Sequence, residues 1–448
     1  MYIVIAGGGE MGSLLARALA KDHEVVVVDI KPLADRFSAL DIRVVTGNTT
    51  DISVLELAEA GQSDAFIACT EIDEVNLIAA MLAKGLGARA VVCFVGRAYY
   101  AEAFSDPRTS EFLGVKIDQI IWPQRSMAKE VLEVILIPKA LEAEEVAGGK
   151  LRLVEYRLEP DNPLVGKPPR FESLVSGAML AGVIREAKFF PANEAVSKLS
   201  QLVPQDHLVF IATRAAFPEL QAVFAERDQV KQVTIVGGGA VGYLIAQGLE
   251  RRKVQVQLVE QDPERCTWLS EHLGGTLVLL GDGTDTDLWD KESLDRADAL
   301  VAVTNNDEKN LLVSLLAKQM GIEKVVTRVS RSENRRLFER VGIDIPLTPR
   351  QSAVREVLNS LYSQSVQELA VIEDKLELLE APVGESVWGQ EVGKLFLPKK
   401  AVVAAVIRGR EVFLNDESVK LQQGDRLIIL APRQMAAQIG ARIGVPTT

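Results

Sequence analysis

Histidine and cysteine are nearly missing from this chain, with three of each in 448 residues. Cys69, Cys93 and Cys266 form no C-x-x-C pair and leave an odd count. That argues against a disulfide framework or a zinc site and favours reduced core thiols; no metal is expected. His23, His207 and His272 read as turn or surface residues rather than as an acid or base beside a substrate. No G-x-S-x-G, H-E-x-x-H or G-x-x-x-x-G-K-[ST] occurs, so the usual nucleophile, zincin and P-loop signatures are absent. Positive charge is in deficit as well. A formal charge of −12 argues against a broad nucleic-acid surface, which needs concentrated cations. The basic runs Arg251-Arg252-Lys253 and Arg328 to Arg340 are interrupted or followed by acids and read as solvated helix faces. No apolar run approaches a membrane span, and the first residues enter a strand and a Gly-rich turn directly rather than a leader. A soluble cytoplasmic chain is expected.

What is present is an ordinary globular composition, 48% hydrophobic and 25% charged, in a chain long enough for three or four units. The sequence repeats itself. "IVIAGGGEMG" near the start returns as "VTIVGGGAVG", so that Gly7, Gly9 and Gly12 align with Gly237, Gly239 and Gly242. Further on, "TGNTTD" answers "LGDGTD", "IACTEIDEVN" answers "VAVTNNDEKN", and "GARAVVCFVGR" answers "GIEKVVTRVSR". Collinear agreement over that length is a duplicated domain.

In the first copy, short apolar strands at 2–6, 24–29, 42–45, 65–69 and 91–95 alternate with amphipathic stretches. Met11, Leu14, Leu15, Ala18 and Leu19 make one helix face, reproduced by Val241, Leu244, Ile245, Gly248 and Leu249. This pattern predicts a Rossmann-like, doubly wound parallel α/β sheet in each copy. A smaller β-rich unit follows each one: residues 178–212 resemble 401–431, with Ile184-Arg185 matching Ile407-Arg408 and Gln205-Asp206 matching Gly424-Asp425. The last two pairs read as turns. Pro138 to Lys150 and Phe217 to Lys231 read as linkers. The organisation is therefore A-B-A-B, with units 1–138, 139–228, 229–362 and 363–448.

Each G-x-G-x-x-G follows a strand and opens a helix, the context in which such glycines approach a pyrophosphate and the helix amides face it. Gly7 and Gly237 turn the chain out of the strand, Gly9 and Gly239 admit the phosphates, and Gly12 and Gly242 let the helix sit close. Glu10 and Met11, with Ala240 and Val241, supply amides at the helix start. Asp29 and Glu260 end the second strand, where a carboxylate accepts from the adenosine ribose and repels a 2′-phosphate. NAD(H) or an adenosine phosphate is thereby favoured over NADP. Asn48, beside Thr50, and Asp282 are candidate acceptors for an adenine amino group. Thr70 with Glu71, and Thr304 with Asn305, stand at the fourth strand's carboxyl end; the threonines read equally as helix N-caps. Asn76 and Asn310 are weaker candidates. Arg97 and Arg331 follow the fifth strand, and Arg328 stands where the first copy has Phe94. Guanidinium groups there suit phosphate oxygens, so the copies should differ, the second better accepting a polyphosphate.

These residues carry a resemblance. The A units resemble RCK, or KTN, nucleotide-binding domains on "AGGGEMG…VVVVD", "VGGGAVG…LVE", the "GN" and "GD" loops and the Arg-x-x-Arg at 328–331. The B units resemble the RCK C-terminal module, and the A-B-A-B order resembles the TrkA family of regulatory subunits of bacterial Trk potassium uptake systems. The resemblance implies a non-enzymatic protein that binds NAD(H), ATP or ADP. It also implies a ring, here a homotetramer, peripheral to the inner face of the membrane and docked on a potassium transporter subunit of the TrkH or TrkG kind. Phe94 departs from the arginine the family pattern implies at that place. The B units are assigned no ligand. The rival readings are an NAD-dependent oxidoreductase with tandem nucleotide domains and a regulator of a different cation transporter.

Overall fold

The computed structural model describes residues 1–20, 23–38, 40–169, 175–186, 188–224, 230–361, 367–372, 376–398, 401–432 and 435–444. The first sheet contains β1 (Tyr2–Ala6), β2 (Glu24–Asp29), β3 (Ile42–Thr46), β4 (Ala65–Ala68), β5 (Ala90–Phe94) and β6 (Gln119–Ile121). Its order is β3-β2-β1-β4-β5-β6, every pairing parallel. Central strands of such a sheet are covered on both faces, which is why Ile3, Val4, Ile5 and Ala6 form an unbroken buried apolar run. The winding reverses between β1 and β4, and a crevice opens at their carboxyl ends.

Next come β7 (Ala140–Val146), β8 (Leu151–Arg157), β9 (Ala178–Arg185), β10 (Lys188–Pro191) and β11 (His207–Thr213), forming an antiparallel sheet of order β10-β9-β11-β8-β7. The second copy repeats the plan. Strands β12 (Gln232–Val236), β13 (Gln255–Glu260), β14 (Thr276–Leu280), β15 (Ala299–Ala302), β16 (Lys324–Arg328) and β17 (Ile345–Leu347) form a parallel sheet of order β14-β13-β12-β15-β16-β17. A last antiparallel sheet, ordered β18-β19-β22-β20-β21, contains β18 (Gln367–Ile372), β19 (Leu376–Pro382), β20 (Val402–Arg408), β21 (Glu411–Leu414) and β22 (Arg426–Pro432).

The last helix of each Rossmann copy covers the other copy. Residues 1–127 and 349–361 form one compact unit, and 128–348 with 362–447 form another. In the first unit, the helix Pro349–Leu361 buries Ala353 and Val357 among Ile3, Leu15, Leu19 and Ile121. In the second, Leu132, on the helix Pro123–Ile135 that follows β6, lies against Gly248; a Cβ there would stand 2.3 Å from the leucine Cδ1. Lys324, at the start of β16, caps the end of that helix by donating to the carbonyls of Val134 and Ile137. Burial pulls its ammonium down to about 7.

Both small sheets lie in the second unit and share one core, in which Leu153, Ile184, Val209 and Ile211 meet Leu378, Ile407, Ile428 and Leu430. The other face of the first carries its own core, with Tyr156 stacked on Phe224 at 4.2 Å between ring centroids. The recurrent polar residues of these modules form one buried fork in each. Arg185 Nε and Nη2 donate to the two oxygens of Asp206 at 2.7 Å each, and Arg408 does the same to Asp425 at 2.8 Å each. Each carboxylate is 1% exposed and closes the turn made by Gln205 (φ 72°) or Gly424 (φ 86°). The turn reading of those pairs holds.

Neither segment read as a linker is one. Pro138 to Lys150 contains β7, an edge strand that buries Ala140, Ala143 and Val146, followed by a turn in which Ala147, Gly148 and Gly149 have positive φ. Its acids are interleaved with the buried residues on both faces, Glu145 pairing with Arg152 at 2.6 Å, and they disguise the strand pattern. Phe217 to Lys231 begins as the helix Phe217–Phe224, with Phe217, Leu220 and Phe224 in the core; 225–229 lie outside the described residues.

Lys324 gives a test of this packing. Below about pH 7 it is protonated folded and unfolded; above about pH 10.5 it is neutral in both. Between these limits the unfolded chain holds the extra proton, so this group makes stability rise with pH. The melting temperature of the wild type is expected to climb relative to Lys324→Met from pH 7 to 10. A relative fall over that interval contradicts the assignment.

Candidate functional site

The two glycine turns are built alike. Gly7 and Gly237 have φ of 106° and 111°, and a Cβ on either would lie 2.8 Å from the amide nitrogen of Thr70 or Thr304. These positions require glycine twice over, for conformation and for space. Gly12 and Gly242 allow no side chain, because a Cβ would fall 1.8 or 1.9 Å from the carbonyl oxygen of Gly7 or Gly237. Gly9 and Gly239 are different. A Cβ there meets nothing within 4 Å, so each faces open space at the head of its helix, Glu10–Leu19 or Ala240–Glu250. Neither helix has a side-chain N-cap. First-turn amides are thus directed at the crevice, the arrangement that favours an anion. Glu10 and Ala240 are exposed, whereas Met11 packs on the core and Val241 is buried in it, so the latter two face the site by backbone alone.

The acids at the ends of β2 and β13 have a structural duty that spacing alone does not reveal. Asp29 Oδ2 accepts from the amide of Gly8 at 2.7 Å, and Glu260 Oε2 from that of Gly238 at 2.7 Å. From the other side Arg36 donates to the Gly8 carbonyl and Arg265 to that of Gly238, each at 2.7 Å. The middle glycine is therefore gripped at both its peptide groups. Both acids remain half-buried at the crevice edge, and a carboxylate retains acceptor capacity after one such bond.

Thr70 and Thr304 are not N-caps; Ile72 and Asn306 hold those positions. Each threonine donates its hydroxyl to Asn76 or Asn310 Oδ1 at 2.6 Å, and the same oxygen takes its amide. The asparagine Nδ2 donates across to the carbonyl of Phe94 or Arg328. Asn76 and Asn310, 1% and 0% exposed, thus clamp the ends of two adjacent strands and belong to the scaffold. Asn48 and Asp282 form Asx turns, each Oδ1 accepting the amide and hydroxyl of Thr50 or Thr284. Glu71 is exposed beside Thr70.

Beyond this scaffold the copies part. In the second, Arg328 Nη1 donates to Asn305 Oδ1 and to the Thr304 carbonyl, so three candidate residues meet at the carboxyl end of β15. In the first, Phe94 is buried in the core, and Arg97 Nη1 is engaged by Glu74 and Tyr99, both at 2.9 Å. Arg331 is exposed at the N-cap of the helix Ser332–Arg340. Lys309 has no counterpart in the first copy, where Val75 aligns with it, and sequence spacing gave no hint of it. Its ammonium bonds Asp282 at 2.8 Å and Gln261 at 3.0 Å, spanning the ends of β13 and β14. That hydrogen bond is the main reason the Asp282 carboxyl is held down to about 2.

The described cysteines are unpaired; burial pushes the Cys69 thiol up to about 12, which keeps it unreactive. His207 heads β11 and meets Glu155 at 2.7 Å, and His272 lies stacked on Trp268, both away from the crevices. Among the described residues no helix is long and apolar enough to cross a membrane and no side-chain cluster suits a metal.

Two Rossmann crevices, each with an acid-locked glycine turn, define a tandem dinucleotide-fold protein. The TrkA-N domain model matches residues 3–123 and again 233–349. Over nearly its full length the chain is similar to two Methanosarcina mazei proteins, Trk system potassium uptake protein TrkA homologs 1 and 2. They are 33% and 35% identical, over 98% and 96% of this chain and 99% and 97% of theirs. The chain belongs to the TrkA family. The solved structure of the GsuK channel bound to NAD shares the fold, with a TM-score of 0.60 at 19% identity over 99% of this chain and 78% of that one.

The glycines separate stability from binding. Gly12→Ala and Gly242→Ala are expected to cost roughly 3 kcal/mol or more, since backbone must move to admit the methyl group. Gly9→Ala and Gly239→Ala should melt within about 1 kcal/mol of wild type yet lose nucleotide, because the methyl occupies the approach to the helix amides. Thermal melts paired with calorimetric titration check both halves of this statement.

Proposed function

We propose that this chain is the nucleotide-sensing regulatory subunit of a potassium uptake system, binding NAD(H), ATP or ADP at the two glycine turns. It gates ion flow through a membrane subunit of the TrkH or TrkG kind, as a ring of four chains on the cytoplasmic face. One observation carries the reading: each of two crevices presents an uncapped helix start behind an open glycine, with a half-buried carboxylate at the end of the second strand beside it, the arrangement that suits an adenine nucleotide. Full-length similarity to proteins named for Trk potassium uptake supports the ion and the membrane partner. The open space at Gly9 and Gly239 supports a phosphate close to the backbone. Duplicated binding units of this kind shift an equilibrium between ring conformations by differential affinity.

The test uses the full chain. Equilibrium dialysis with NADH, ADP and ATP should give saturable binding, and Asp29→Ala or Glu260→Ala should weaken one site each by about 10- to 100-fold. In vesicles containing the co-purified membrane subunit, potassium flux should respond to nucleotide and lose that response in the double variant. Flux that responds unchanged in the double variant sinks the proposal, as does sustained substrate-dependent NADH turnover by the purified chain.

A further inference from the structure

The first site lacks the guanidinium that Arg328 gives the second, and the exchanged helix brings a replacement. The helix Pro349–Leu361 starts at the end of the second Rossmann copy but packs on the first, with Ala353 and Val357 fully buried there. Its second residue, Arg350, places Nη1 3.0 Å from Glu10 Oε1. Glu10 is the first residue of the helix Glu10–Leu19, immediately after Gly9 and its open space. A carboxylate in that first turn lies in the field that attracts a phosphate. Both members of the pair are missing from the other half: Ala240 stands where Glu10 does, and Gln124 where Arg350 does. An acid and a base that occur together in one copy and are both absent from the other act as a pair.

We propose that Arg350 is a phosphate ligand of the first nucleotide site, supplied from the end of the second copy, and that Glu10 holds it in place of the phosphate until a nucleotide arrives. The ligand class is an adenine nucleotide with at least two phosphates, whose oxygens accept the guanidinium as the Glu10 carboxylate does. Arg36 donates to the Gly8 carbonyl and Arg97 to Glu74 and Tyr99, whereas the Arg350 guanidinium meets the helix start itself through Glu10. Occupancy of the first site thereby acts directly on a helix that continues from β17 of the second copy. This inference rests on the nucleotide-binding reading above and assigns the residue that gives the first site its grip on phosphate.

The experiment is calorimetric titration of the full chain with ADP and, separately, with adenosine. Arg350→Gln should weaken ADP at one of two sites by about 10-fold or more while leaving adenosine unchanged, and Arg350→Lys should recover part of the loss. Glu10→Gln should tighten ADP at the same site, because a competing carboxylate is gone. A purely structural ion pair predicts that both glutamine variants weaken ADP alike; that outcome, or ADP binding unchanged in Arg350→Gln, overturns the proposal. Should Arg350→Gln fail to fold, Arg350→Lys decides: it should weaken ADP while leaving adenosine unchanged, and ADP binding equal to wild type overturns the proposal. Wild-type chain that binds no adenine nucleotide refutes the functional reading itself, whereas two normal sites in Arg350→Gln refute this inference alone.

Discussion

Everything at the two crevices depends on how closely one backbone approaches another. The Cα of Gly12 lies so near the Gly7 carbonyl, and that of Gly242 so near the Gly237 carbonyl, that no side chain fits between. This approach seats the helix against the sheet and aims its unpaired amides at the carboxyl ends of the strands. The acid on β2 or β13 fixes the middle glycine from one side and the arginine of the following helix from the other. Asn76 and Asn310 then tie the neighbouring strand ends into the same frame. The crevice surface is held in one geometry by its own hydrogen bonds, the kind of preorganisation that spares a ligand the cost of ordering the protein.

The sequence told most about what repeats locally. Strands β1 to β5 were readable because a parallel strand buried on both faces is an uninterrupted apolar word between turns. By contrast β6 and β17 are three residues each, too short to carry a pattern. The amphipathic stripe of the helix Pro349–Leu361 shows that one face is covered, but periodicity cannot say by which sheet. Acids interleaved with the buried residues of β7 hide a strand, and the helix Phe217–Phe224, with its buried phenylalanines, is too short to stand out from a connection. In the crevices, glycine and acid spacing marks the turn, while no spacing marks Arg36, Arg265, Lys309 or Arg350. A single cation on a helix has no spacing signature; its meaning comes only from what lies across from it. For the same reason Asn76 and Asn310, read as weak ligand candidates, are clamps.

The copies share a frame and differ in charge. Lys309 and Arg328 stand at the second crevice, with Arg328 reaching Thr304 and Asn305 across the end of β15 and Arg331 exposed at the following helix start. The first crevice replaces two of them with Val75 and Phe94 and turns Arg97 toward Glu74. Such differences leave a carboxylate at the end of the second strand in both copies and change the charge around the ends of the neighbouring strands. The difference in charge between the copies is broader than the exchange of Phe94 for Arg328.

The shared core of the two small sheets and the exchange of terminal helices bear on the history of the chain. A protein half this length would have to lend its last helix to a second identical copy and bury its small sheet against that copy's sheet. Two such copies would be bound to be alike, and every substitution would appear in both crevices at once. Joining them in one polypeptide fixes their ratio at one to one and removes that constraint. Val75 and Lys309, Phe94 and Arg328, and Glu10 and Ala240 are substitutions that an identical pair cannot carry.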